Sequence, residues 1–205
     1  LTLIAFTPLD TPSKVQCIKR LQSSIPDLRI FIHCLTVIAY CDDDADDTRI
    51  DLYLYYATIG LGMPNPKIRA SAIWMLAVIY PKQPGAITQM MSTLTNLIEG
   101  ESWWEVHAHL LTLCGYVLES IGGDGSTDLE ASTLDMVKKI FSPSSSNVIR
   151  QWGASSLACG TRAGGEFADL YLRVLLAMSD SDRSYILGLS KQQPPTVTSS
   201  TGMDM

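Results

Sequence analysis

The chain has 205 residues, of which 46% are hydrophobic and 18% charged, with 15 Lys and Arg against 21 Asp and Glu for a formal charge of −6. High apolar content with low charge excludes a chain that is disordered throughout, and no stretch reaches the roughly 18 consecutive apolar residues that a membrane span needs. The acidic balance speaks against a nucleic-acid-binding surface, which presents a basic field.

Taken in order, the chain opens on Leu1-Thr2-Leu3-Ile4-Ala5-Phe6, an uncapped apolar start with no initiator methionine and no basic n-region. It reads as a segment of a larger protein rather than a signal peptide. Apolar residues then recur at spacings of three and four, the period of amphipathic helices. The pattern predicts helices over 12–22, 27–40, 47–60, 66–80, 85–99, 103–121, 128–141, 147–161, 166–178 and 181–189, in about five antiparallel pairs. Turn residues separate them: Ser23-Ser24-Ile25-Pro26, Gly60 to Pro66, Pro81 to Gly85, Gly122 to Ser126 and Ser142 to Ser146. Pro66 suits the first helical position after an Asn65 cap. Asp51 to Tyr56 alone carries an ambiguous strand-like alternation. The helical domain therefore runs over 1–190. Residues 191–205, poor in large apolar side chains, read as a disordered tail or linker.

The five cysteines are Cys17, Cys34, Cys41, Cys114 and Cys159. An odd count without Cys-x-x-Cys argues against a disulfide framework or zinc ribbon, and for a reducing, intracellular compartment such as cytoplasm or nucleus.

A column of basic residues recurs near the start of each second helix: Arg29, Arg69, His107, Arg150 and Arg183, at spacings of 40, 38, 43 and 33 residues. The sharpest copy is Asn65-Pro66-Lys67-Ile68-Arg69-Ala70-Ser71-Ala72-Ile73-Trp74-Met75-Leu76. Small residues follow three positions after the column at Ala72 and Gly153, where paired helices would approach closely. Fixed-period self-similarity of this length marks stacked helical repeats. The segment resembles the second helix of HEAT repeats, and a period near 40 also admits armadillo-like repeats. The resemblance implies an all-α fold, a right-handed α-α superhelix with a concave wall of second helices. It also implies that the Arg/His column forms a structural ladder, bonding to acidic side chains and helix ends of adjacent repeats, with a binding ladder on the inner wall as the other reading.

Candidate contact residues are few. Trp103 and Trp104 stand at a turn, where one is expected to staple the helix start and the other to anchor a partner. Lys67, His109, Arg150 and Trp152 complete the partner-binding set, although Trp74 and Trp152, lying within helices, also read as packing residues. The run Asp42-Asp43-Asp44-Ala45-Asp46-Asp47 is expected to be a solvated loop whose last residues cap the next helix, or else a dock for a basic segment. It does not fit a calcium loop, whose sixth position needs Gly and is Asp47, and whose twelfth needs Glu and is Tyr53. His107 and His109, two apart, face different sides of a helix and cannot share a metal, and Glu105, one turn before His109, gives only a single carboxylate–histidine pair, short of a metal site. Gly160 to Glu166 is glycine-rich but lacks the lysine of a phosphate loop and reads as a helix-terminal turn.

No catalytic motif is present, no cofactor is implied and nothing points to a small-molecule substrate. The sequence thus predicts a non-enzymatic protein-interaction scaffold that binds a protein, or another domain of its parent chain, along the concave wall or turn edge. Two alternatives stay open. One is a tubulin-binding module of the TOG type, which the resemblance suggests but the lack of Lys and Arg on the turns opposes. The other is a chromosome-associated HEAT segment, opposed by the net charge.

Overall fold

The computed structural model describes residues 2–121, 128–140 and 146–157, together with residues 169, 172, 176, 179, 180, 183 and 184. Among the described residues the chain is all-helical, with no strand. The elements are α1 (Thr2–Phe6), α2 (Thr11–Ser24), α3 (Leu28–Cys41), α4 (Asp47–Leu61), α5 (Pro66–Ile79), α6 (Pro84–Gly100), α7 (Trp104–Ile121), α8 (Asp128–Ile140) and α9 (Asn147–Leu157). None is long and apolar enough to cross a membrane. The expected helices 166–178 and 181–189, the glycine-rich turn at 160–166 and the tail 191–205 lie outside the described residues, apart from the isolated positions given above.

Side-chain caps set the helix starts. The Asp10, Asp27 and Asp46 carboxylates accept from the backbone N–H groups of Ser13, Ile30 and Arg49, and the Asn65 side chain accepts from that of Lys67. Each satisfies a donor that has no partner within its helix. Proline occupies the first turn of α2, α5 and α6, where its missing N–H costs nothing. Asp51 to Tyr56 lies inside α4, so the strand-like alternation there is overridden: Tyr53, Tyr56, Ala57 and Gly60 are buried at helical spacing on one face. The short helix α1, which has no cap to announce it, packs against α2 and α3.

Alternate helices pack on one another: α3 on α5, α5 on α7 and α7 on α9 form one row. Within the other row α2 packs on α4 and α6 on α8, while α3–α4, α4–α5 and α7–α8 contacts join the two. A continuous core runs from Ile18 and Phe31 through Ile73, Met75 and Leu76 to Leu110, Val117 and Val137.

Asp43, Asp44, Asp46 and Asp47 are exposed and Asp46 caps α4, as expected of a solvated loop, but Asp42 departs from it. Asp42 is only 2% exposed. Its Oδ2 accepts from Arg49 Nε at 2.9 Å and Tyr53 Oη at 2.7 Å, and Lys14 Nζ lies 3.7 Å from its Oδ1. Arg49 also donates to Thr11 Oγ1 and the Asp44 carbonyl. Lys82 Nζ donates to the Ala39 and Asp42 carbonyls at 2.6 and 2.7 Å, satisfying the end of α3 from the α5–α6 turn. A buried carboxylate survives only when paired and hydrogen-bonded; the network supplies both at Oδ2, while Oδ1 has the Lys14 charge nearby but no hydrogen-bond partner among the described residues. Burial, with the Asp42 carboxylate beside it, raises the Tyr53 phenol well above its ordinary range.

Helices α4 and α5 approach closely at Gly60, where an added Cβ would stand 2.7 Å from Ala72 Cβ and 2.8 Å from Ile32 Cδ1. Ala72 Cβ is fixed to its own backbone, so the helices must part to admit it. Gly60→Ala is therefore expected to lower the unfolding free energy by about 1–3 kcal/mol despite its better helix propensity. Gly85→Ala, with nothing within 4 Å of the new atom, should leave stability unchanged or raise it by up to about 1 kcal/mol. Urea melts of the two variants give the comparison.

Candidate functional site

The turn between α6 and α7 is built around one carboxylate. Glu101 Oε1 accepts from the Ser102 and Trp103 N–H groups at 2.9 and 2.8 Å, and its Oε2 accepts from Arg69 Nε and Nη2 at 2.9 and 2.5 Å. Arg69 Nη1 donates in turn to the Met63 and Pro64 carbonyls, each at 2.8 Å. The guanidinium thus links the loop before α5 to the start of α7, using a fork of donors that lysine lacks. Burial raises the Glu101 carboxyl, but the Trp103 N–H, the Arg69 guanidinium and the Ser102 N–H outweigh it and leave the group below its ordinary value.

This junction fixes the first turn of α7 and hence the side chains on either side of it. Trp103 is half-buried against the core, its Nε1 donates to Glu105 Oε2 at 3.0 Å, and Lys67 Nζ sits 5.6 Å from its ring centroid. Trp104 is 37% exposed, and its ring lies 6.4 Å from that of Trp152 at 68°. Glu105 and His109, one helical turn apart, face a groove.

The groove crosses α3, α5, α7 and α9 and encloses about 340 Å³. Each helix gives it one ring: His33, Trp74, His109 and Trp152. The His33 and Trp74 centroids are 4.7 Å apart; Trp74 and His109 stack at 6.0 Å and 21°; His109 and Trp152 meet edge-on at 5.7 Å and 87°. Trp152 Nε1 donates to Thr112 Oγ1 at 3.2 Å, which fixes that indole while leaving the residue 42% exposed. At one side Arg29 Nη2 approaches Glu105 Oε2 at 3.9 Å, both side chains being partly exposed. Such a pair is held loosely. The other Glu105 oxygen has no hydrogen-bond partner among the described residues.

Of the residues singled out in the sequence, His109 and Trp152 line the groove and Trp104 flanks it. Lys67 and Trp103 pair with each other beside the junction, and Arg150 is half-buried in the first turn of α9. The basic column is not uniform. Arg69 ties helix ends together, Arg29 stands at the groove, and Arg183 donates to the Leu176 carbonyl and faces Asp180 at 3.2 Å. His107 is half-buried with its Nε2 lacking a partner among the described residues. Trp74, read mainly as packing, is a groove wall; Glu105 was noticed only as one carboxylate beside His109, and His33 and Glu101 were not singled out. A signal for the rings existed: 33, 74, 109 and 152 recur at 41, 35 and 43 residues, close to the period of the basic column. Among the described residues no group of three or more His, Cys, Asp or Glu could hold a metal ion.

Burial pushes the His109 imidazole down to about 4, and His33 adds to this while Glu105 opposes it. His107 is lowered too, by burial, against the pull of Glu101. The folded chain therefore keeps His109 neutral where the unfolded chain takes up a proton. Stability is complete above the ordinary histidine value of 6.5 and falls as the pH drops from there toward about 4. Melting temperatures measured across this window should decline, and His109→Gln should flatten the decline. A second expectation concerns the junction. Arg69→Ala leaves Glu101 buried without its cation and should cost about 3 kcal/mol, read by denaturant unfolding.

The chain matches no family model, no curated protein and no solved structure.

Proposed function

We propose that this chain is a non-enzymatic protein-interaction scaffold of the helical-repeat type. Its helix pairs stack as a HEAT-like superhelix, with α3, α5, α7 and α9 forming the inner wall. Two observations support the architecture: the basic residues recurring near every 40 residues, and the packing of alternate helices in one row. The groove carries the functional reading. Four successive helices of one row each place a ring in it, and two tryptophans stay partly exposed there, with Trp104 beside them. Exposed Trp costs solvation and is enriched at the energetic centres of interfaces. The neutral His109 and the single carboxylate leave the groove with few charges to desolvate when a partner docks.

The reading is tested by panning a displayed peptide library against the folded chain and measuring the selected peptides by fluorescence anisotropy. Binders with micromolar affinity are expected, weakened about tenfold or more by the Trp74→Ala/Trp152→Ala double variant. Circular dichroism establishes that the variant stays folded. Selected peptides whose affinity ignores the double variant would remove the groove from the function, and a folded chain that selects nothing would remove the scaffold reading.

A further inference from the structure

The groove has a composition more specific than an apolar slot. Trp74 lies nearly parallel to His109, and Trp152 stands nearly perpendicular to His109, so three rings form two walls of a corner. Ring faces carry negative potential and attract cations placed within about 6 Å of the centroid. Glu105, one turn before His109, faces the same space with one oxygen that no described group engages. The carboxylate's other oxygen is already oriented by Trp103 Nε1, so the free one is held in place rather than swinging in solvent. The cation now nearest is Arg29, at 3.9 Å and half-exposed, close enough to mark the attraction and too loose to close the site.

An anion would meet the ring faces and the Glu105 charge. An uncharged apolar side chain would fill the corner but leave the carboxylate oxygen desolvated and unpaired, which is costly. The remaining class is a soft, weakly hydrated cation, which gains from both features. The chain's formal charge of −6 favours the approach of such a group from solution.

Building on the scaffold reading, we propose that this corner receives the organic cation of a partner's side chain, a guanidinium or a methylated ammonium, held against the Trp74 and Trp152 rings and paired with Glu105. Arg29 then acts as the resident competitor that the incoming cation displaces.

The test is an NMR titration of the full chain, following the Trp74 and Trp152 indole N–H signals. The probes are N-acetyl-arginine amide, N-acetyl-trimethyllysine amide, its neutral carbon isostere and choline. Either cationic amide should move both signals and saturate at roughly millimolar concentration. The isostere should bind at least about fivefold more weakly. Glu105→Gln should weaken the cationic amide severalfold, and Arg29→Gln should tighten it. An isostere that binds as well as its charged counterpart, or an Arg29→Gln variant that binds less, overturns the proposal. Choline binding more tightly than both amides overturns the side-chain source in favour of a free small cation. Selected peptides that depend on Trp74 and Trp152 yet contain no basic residue would end the cation assignment and leave the scaffold reading standing. Peptides indifferent to both tryptophans would end the two together.

Discussion

The bond between Arg69 and Glu101 governs more of this molecule than its two residues suggest. It joins the loop before α5 to the start of α7, and the same carboxylate orders the first N–H groups of that helix. The phase of α7 follows from where it begins. A helix turns about 100° per residue, so a start displaced by one residue would carry Glu105 and His109 out of the groove. The groove is thus held by a polar junction at its edge as well as by the core beneath it. The guanidinium reaches two carbonyls and a carboxylate at once, a task for a planar fork and not for a point charge.

A second polar anchor sits at the opposite end of α5. Asp42, Arg49, Tyr53 and Lys14 bring α2, the α3–α4 loop and α4 together, and Lys82 adds the α5–α6 turn. Both anchors lie where helices meet loops and orphan backbone groups need partners. The apolar core between them is continuous, and it is compatible with more than one way of sliding helix on helix. Directional bonds at both ends remove that freedom.

The helices were legible from sequence because their signals are local. Asp and Asn caps, first-turn prolines and a stripe of apolar residues act within a few positions, and the spans from α2 to α8 fall within a few residues of those expected. The buried state of Asp42 was not legible, since five acidic residues in six positions suggest water, and only the fold shows that Arg49 and Tyr53 converge on one of them. Gly60 was read as the last residue of its helix and the first of the break after it, and the fold adds that Ala72 of α5 and Ile32 of α3 stand against it. The site was legible in fragments. His109 and Trp152 were chosen for their chemistry, but Trp74 and His33 were hidden because a ring on a helix reads as packing until the neighbouring helix is in place. Glu105 drew notice only as a single carboxylate near a histidine, too little for a metal, and its value depends on a groove whose other walls stand up to 76 residues away in the chain.

That the groove takes one ring from each of four helices has a mechanical consequence. Its width is set by the angles between α3, α5, α7 and α9, so a small bend of the row spreads or closes the rings as a hinge moves the teeth of a comb. Anything seated between them resists that bend. Occupancy at one spot would therefore stiffen the packing of the row, and a bend imposed on the row would change how well the spot can be filled. In such an array recognition and elasticity are two readings of the same geometry.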